Sequence, residues 1–412
     1  MIQFREPCPT GPRNRLTRAP VRYDPYAHEV MLDPHSTYAQ LRAESPVHYI
    51  EAYECWALSR FEDIWQASLD TKVFSVAEGT SPGQILLGEP TFPSFMTMNL
   101  PEQRVHRSLI GDRYTRAAVA RLEPRIRAIT RELLAPLLKA RSFDLYRDLA
   151  NRVSIRRAAL LAGVPLEDAE MLRGWIDGFF RRQPGQVGNS ADNLAHAERI
   201  SAYLGELVAE RRRSPARGED HLSAWLRADE SGLDYGDGAI VSNLYSIMVT
   251  GSETVPLAIG SAVAHLETTP GQKRRVLADP ELALALFAET LRFEQPTNLL
   301  GRRLREDVEI RGCKLRAGQG VLLLFASGNR DEAEFPRADV FDIDRRSPRS
   351  LNYGHGIHIC IGLHLGNLEG RVVLEEFFSS IRDFQVDLPR CERLYGEFLN
   401  GYASVPVHVD PR

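Results

Sequence analysis

Apolar residues recur at helical spacing over most of the middle of the chain, a period that leaves room for only a small sheet. Val105 to Leu122, Arg125 to Leu138 and Leu145 to Leu161 each read as amphipathic helices. Leu166 to Phe180, entered through Pro165, and Leu194 to Arg211 read as a further pair, joined by the turn-rich stretch Gln183 to Asn189. Ile240 to Leu266 predicts one long helix interrupted by Gly251 and Gly260, and Glu281 to Phe293 predicts another. Strand signals are shorter: Val47 to Ile50 with Trp56 to Leu58, Val308 to Ile310 with Val321 to Phe325, and, closing the chain, Phe384 to Val386 and Val405 to Val409. The pattern predicts a mainly α fold with a minor β-sheet region. With no evident linker or repeat, residues 1–412 read as one domain.

Of 412 residues, 43% are hydrophobic, enough for a large core. The charge balance, 51 Lys+Arg against 55 Asp+Glu, gives no support for nucleic acid as a partner. Met1 to Pro20 lacks the apolar core of a signal peptide or membrane anchor, and the run Val321 to Ala326 is too short to span a bilayer. The cysteines Cys8, Cys55, Cys313, Cys360 and Cys391 are scattered and odd in number, which argues against a disulfide framework and for a cytoplasmic protein.

One cysteine has an unusual setting. In Tyr353-Gly354-His355-Gly356-Ile357-His358-Ile359-Cys360-Ile361-Gly362, glycines flank Cys360, and a helical pattern runs on through Leu363, Leu365, Leu368 and Val373. Such a window presents a sulfur from a tight loop at a helix N-terminus, where amides favour a thiolate and glycines admit a flat cofactor. Taken alone, the window also allows a buried thiol, or a zinc cluster with His355, His358 and His364, although the spacing is not that of paired zinc ligands.

Two helix motifs accompany it. Thr250-Gly251-Ser252-Glu253-Thr254 puts Thr250 and Thr254 on one face beside an acid, with Gly251 weakening the helix; this suits proton delivery, or a solvent-facing Glu and back-bonded threonines. Glu289-Thr290-Leu291-Arg292 places Glu289 and Arg292 at i, i+3, a pair that means little on an exposed helix.

In this order, the three signals resemble the cytochrome P450 family, in its soluble bacterial branch. Gly356, Cys360 and Gly362 match the signature Phe-x-x-Gly-x-x-x-Cys-x-Gly, with Tyr353 replacing the phenylalanine. The resemblance implies the P450 fold, with haem b between the long central helix and the cysteine-loop helix, Cys360 on the iron and His358 at a haem propionate. It implies further propionate contacts from Gln103, standing where His is common, and from Arg107 and Arg302. It makes Glu253 and Thr254 the acid–alcohol pair, with Thr250 replacing a small residue. Arg345, in Phe341-Asp342-Ile343-Asp344-Arg345, joins Glu289 and Arg292 in a structural network.

The activity so implied is that of a haem-thiolate monooxygenase using O2. In the absence of a flavin or iron–sulfur segment, electrons are expected from a ferredoxin and its reductase, with Arg107 and Arg113 as docking candidates. A monomer without a membrane anchor is expected. By position, the substrate pocket draws on Phe92 to Met98, including Phe95, and on Ser246, Val249, Thr250, Asn298, Phe398 and Leu399. That largely apolar set points to a terpenoid, steroid or aromatic compound, with hydroxylation the expected reaction. A peroxide-driven peroxygenase and a non-catalytic haem protein are the alternatives; neither has the same need of the acid–alcohol pair.

Overall fold

The computed structural model describes residues 21–214, 218–233 and 235–412. The reading of Met1 to Pro20 lies outside them. Most helical patterns become helices, with breaks wherever a side chain caps a helix start or a turn tightens. Val105 to Leu122 divides into Glu102–Gly111 and Arg116–Ala120, because Thr115 caps the second helix by accepting a hydrogen bond from the Ala118 amide. Leu145 to Leu161 opens with a wide turn, Leu145–Ala150, before the helix Asn151–Ala162. The helices Ala169–Phe180 and Ala191–Arg213 form the expected pair.

The predicted long helix is two: a first central helix, Gly236–Gly251, and a second, Thr254–Thr268. The stretch Gly236–Thr268 is apolar and long enough to cross a membrane, but 83% of its apolar window is buried inside the protein, where a core helix needs such a composition. The helix Leu363–Ser379 follows the cysteine loop and packs Leu365, Leu368, Val372 and Val373 into the main core.

The sheets are small. A five-stranded sheet runs Val47–Ile50, Cys55–Leu58, Gly320–Leu323, Leu300–Leu304, Phe74–Ser75. The expected partnership of Val308 to Ile310 with Val321 to Phe325 does not form. Val308–Ile310 instead makes a tight hairpin with Cys313–Leu315, while Gly320–Leu323 pairs with Cys55–Leu58 and Leu300–Leu304. The two closing strands form near their expected positions, as Ile381–Val386 and Pro406–Pro411, and pair with each other. The cysteines also depart in part from the reading above: Cys313 is disulfide-bonded, whereas Cys55, Cys360 and Cys391 are free.

Candidate active site

The cysteine loop takes its shape from its glycines. Gly356 has φ 74°, and a Cβ there would lie 2.2 Å from the Ser68 carbonyl oxygen, so only glycine fits. Gly362 has φ −81° and needs no such freedom; a Cβ on it would meet only the Cys360 sulfur, at 3.7 Å. The Cys360 amide donates to the Tyr353 carbonyl at 2.9 Å, closing the loop. The Tyr353 hydroxyl donates to Asn367 Oδ1 at 2.7 Å, so the tyrosine that replaces phenylalanine anchors the loop to its own helix.

Cys360 is accessible, yet protein surrounds it closely enough for burial to push its thiol up. The Gly362 amide, Arg107 and Arg157 pull the thiol the other way without prevailing. The zinc reading fails: among the described residues no group of three or more His, Cys, Asp or Glu side chains is placed to hold a metal ion.

Around this loop, positive groups gather without an anionic partner among the described residues. Arg302 is 4% exposed, and among the described residues its guanidinium donates only to the Gly301 carbonyl, at 2.7 Å. Burial alone lowers it to about 10. His358 is lowered to about 3, by burial first and then by Arg302 and Arg107. Arg107 donates to the Ile359 carbonyl at 2.7 Å, and Gln103 spends its amide nitrogen on the Ile357 carbonyl at 3.0 Å. Gln103 thus braces the cysteine loop and keeps a second amide hydrogen.

Opposite the loop lies the break in the central helices. Val255, next to Thr254, approaches within 3.6 Å of the place a Cβ on Gly366 would occupy, so the break and the cysteine helix are adjacent. Two buried arginines take up the carbonyls released there. Arg157 donates to Gly251 O at 2.6 Å, and Arg173 to Ser252 O at 3.3 Å. Arg157 also holds the buried Glu369 of the cysteine helix at 2.5 Å, and Ser154 donates to the other oxygen of that carboxylate.

Glu253 is 2% exposed. Burial raises it to about 7 against the pull of Arg173, while Asp177 pushes it further up. Arg173 Nη2 is 2.7 Å from Glu253 Oε1, but that oxygen has no aligned donor, and the same nitrogen bonds to Asp177. The shared guanidinium therefore cannot fully offset burial. The Thr254 side chain is half-buried and has no protein hydrogen-bond partner among the described residues. Thr250 turns its hydroxyl back to Ser246 O at 2.7 Å, leaving its methyl and oxygen lone pairs at the open face.

Glu289, Arg292 and Arg345 come together as expected. Arg292 grips Glu289 through two nitrogens at 2.7 and 2.8 Å, and Arg345 reaches the same carboxylate at 3.2 Å. The arginines' other nitrogens hold the carbonyls of Asn329, Ala338, Pro336 and Val340. The network organises the loop ahead of the cysteine.

The expected pocket residues separate. Ser246, Thr250 and Phe398 retain exposure, whereas Phe95, Val249 and Leu399 are buried. Asn298 is 1% exposed, accepting from Tyr38 Oη at 2.9 Å and donating to Glu397 O at 2.9 Å, bonds that hold its strand-to-loop segment. A surface cleft of about 660 Å³ beside Arg42, Arg60 and Arg349 lies outside this centre, and its charges pair among themselves, as Arg60 with Asp331 at 2.7 Å.

Comparison with known proteins gives this geometry its context. The profile described as Cytochrome P450 matches residues 188–394. The vitamin D(3) 25-hydroxylase of Pseudonocardia autotrophica is 31% identical over 400 residues, covering 95% of this chain and 97% of the relative. The chain belongs to the cytochrome P450 family. The putative cytochrome P450 123 of Mycobacterium tuberculosis is 30% identical, covering 94% of this chain and 97% of that one. The solved structure of cytochrome P450 CYP109Q5 from Chondromyces apiculatus superposes with a TM-score of 0.82 at 30% identity, covering 95% and 99% of the two chains. The chain is therefore a P450 monooxygenase, an oxidoreductase that uses haem b with O2 as co-substrate.

The residues present fit that P450 cofactor. Arg302, a buried guanidinium with no anionic partner, beside a histidine held neutral, is a costly arrangement that haem carboxylates would offset. The open sulfur of Cys360 in a glycine cradle fits the iron. Sequence reasoning missed Arg157, Arg173 and Glu369. The available signal was a charged residue on a buried stripe, since Glu369 sits four residues from both Leu365 and Val373 on the apolar side of its helix.

Proposed function

We propose that this P450 inserts one oxygen atom into a small, largely apolar terpenoid, steroid or aromatic molecule, with hydroxylation the principal reaction. The observation carrying the oxygen-transfer assignment at these residues is the helix break that sets Glu253 and Thr254 beside the cysteine loop. Bound haem supplies the dioxygen-activating iron, and its thiolate ligand favours O–O cleavage. Cys360 would hold the iron, and His358, Arg302 and Arg107 would face the carboxylates. Thr254 Oγ1, free of protein partners, donates a hydrogen bond into the cavity. Glu253, poised near neutral pH, gives up a proton and is reloaded from the Arg173–Asp177 side. Arg157 and Arg173 keep the break open by occupying its carbonyls. The aliphatic and aromatic walls exclude bulk water from the reacting centre.

In this reading the chain acts as one domain and a monomer in the cytoplasm, with ferredoxin and its reductase as electron donors. The vitamin D(3) hydroxylase named above supports a polycyclic, sparsely oxygenated substrate, because its own named substrate has that chemistry. The test supplies the haem-loaded protein with NADH, ferredoxin and reductase, or with hydrogen peroxide alone. Product formation with the electron donors is expected; product with peroxide and none with the electron donors would establish a peroxygenase instead.

A further inference from the structure

Five aromatic rings form a continuous chain across the distal side. Phe92, in the loop before the Glu102–Gly111 helix, lies 6.3 Å from Tyr245 of the first central helix. Tyr245 meets Phe179 edge-on at 6.3 Å, Phe179 meets Phe180 at 5.0 Å, and Phe180 lies parallel to Phe398 at 6.4 Å. Tyr245 is adjacent to Ser246 and one turn from Val249, so the rings stand over the stretch of helix that leads to Thr250 and the break. The separations, 5.0 to 6.4 Å, are those of rings in mutual contact, so the five form one aromatic wall.

Two of the charges behind this wall, Arg182 and Glu89, are already engaged. Arg182 reaches Glu397 at 3.3 Å, Asn189 at 3.0 Å and the Phe179 carbonyl at 2.9 Å. Glu89 accepts from the Asn189 amide at 2.7 Å. A charged ligand would find Arg182 and Glu89 already engaged. Tyr245 differs: its hydroxyl has no protein partner among the described residues, and burial keeps it protonated. The residue is half-buried, so the hydroxyl remains open to an incoming group and can donate to a ligand oxygen.

We propose that Tyr245 is a specificity-determining residue whose hydroxyl donates to an oxygen of a neutral, flat, ring-bearing substrate held against the rings of Phe92, Phe179, Phe180 and Phe398. This inference rests on the monooxygenase reading of the site and narrows its substrate class.

The test titrates haem-loaded protein with 2-acetylnaphthalene, its oxygen-free analogue 2-ethylnaphthalene, and palmitate, following the haem absorption shift. In the wild type the ketone is expected to bind about tenfold tighter than the hydrocarbon, and palmitate more weakly than both. In Tyr245→Phe the ketone preference is expected to collapse to near unity, whereas Phe179→Ala weakens both naphthalenes by a similar factor. An unchanged preference in Tyr245→Phe, palmitate binding tightest, or no binding of either naphthalene would overturn the proposal. The carbon monoxide complex of each reduced protein separates the two levels. A thiolate-type spectrum with an unchanged preference refutes the role of Tyr245 alone, and a spectrum lacking thiolate character refutes the underlying assignment as well.

Discussion

Arg157 binds Glu369 at 2.5 Å and with its other end holds Gly251 O at 2.6 Å, tying the cysteine helix to the break in the central helices. Both side chains are buried, at 4% and 0% exposure. Removing one partner leaves the other charge uncompensated. Arg157→Met is expected to cost about 3–5 kcal/mol in denaturant unfolding, and adding Glu369→Gln should recover part of that loss. Strictly additive single and double variants would show that the two residues are not coupled.

Glu253 makes stability depend on pH with a definite sign. Its carboxyl is raised from 4.5 to about 7, so below pH 4.5 the folded and unfolded chains both hold the proton and the contribution is complete. Between about 4.5 and 7 the unfolded chain releases it while the folded chain, with Tyr146, Arg173 and Asp177 around the group, still retains it. Stability is therefore lost as pH rises through this window, by on the order of 3 kcal/mol. The difference between wild type and Glu253→Gln, measured by urea unfolding at pH 5 and pH 8, should show that slope in the wild type only.

Arg302 should act with opposite signs on two forms of the protein. Its guanidinium is buried without an anion, so Arg302→Met is expected to stabilise the haem-free chain by roughly 1–3 kcal/mol while weakening haem retention. Unfolding of the haem-free protein and haem transfer to a scavenger protein measure the two effects. A loss of stability in the haem-free chain would contradict the account.

Features enforced by local residues were legible in the sequence. The glycine window predicted the Cys360 loop because Gly356 alone fits against Ser68, and the Glu289–Arg292 spacing fixed a pair that Arg345 completes. Features enforced across the chain were not. The break at Ser252 and Glu253 depends on arginines from two helices distant in sequence, so apolar periodicity read straight through it. Likewise Val308–Ile310 closes locally on Cys313–Leu315, while the apolar Gly320–Leu323 is drawn into the central sheet by strands far away in the chain. The bonds of Asn298 to Tyr38 and to the Glu397 carbonyl likewise join residues far apart in the chain, and local pattern gave no sign of them.

The break exists, on this account, to place Thr254 where its free hydroxyl serves proton delivery. The most direct measurement is the coupling of NADH oxidation to product in Thr254→Ala, supplied with ferredoxin, reductase and a substrate that shifts the haem spectrum. The account predicts continued NADH consumption, with most of the electrons diverted from product to hydrogen peroxide. An unchanged yield of product per NADH would contradict it.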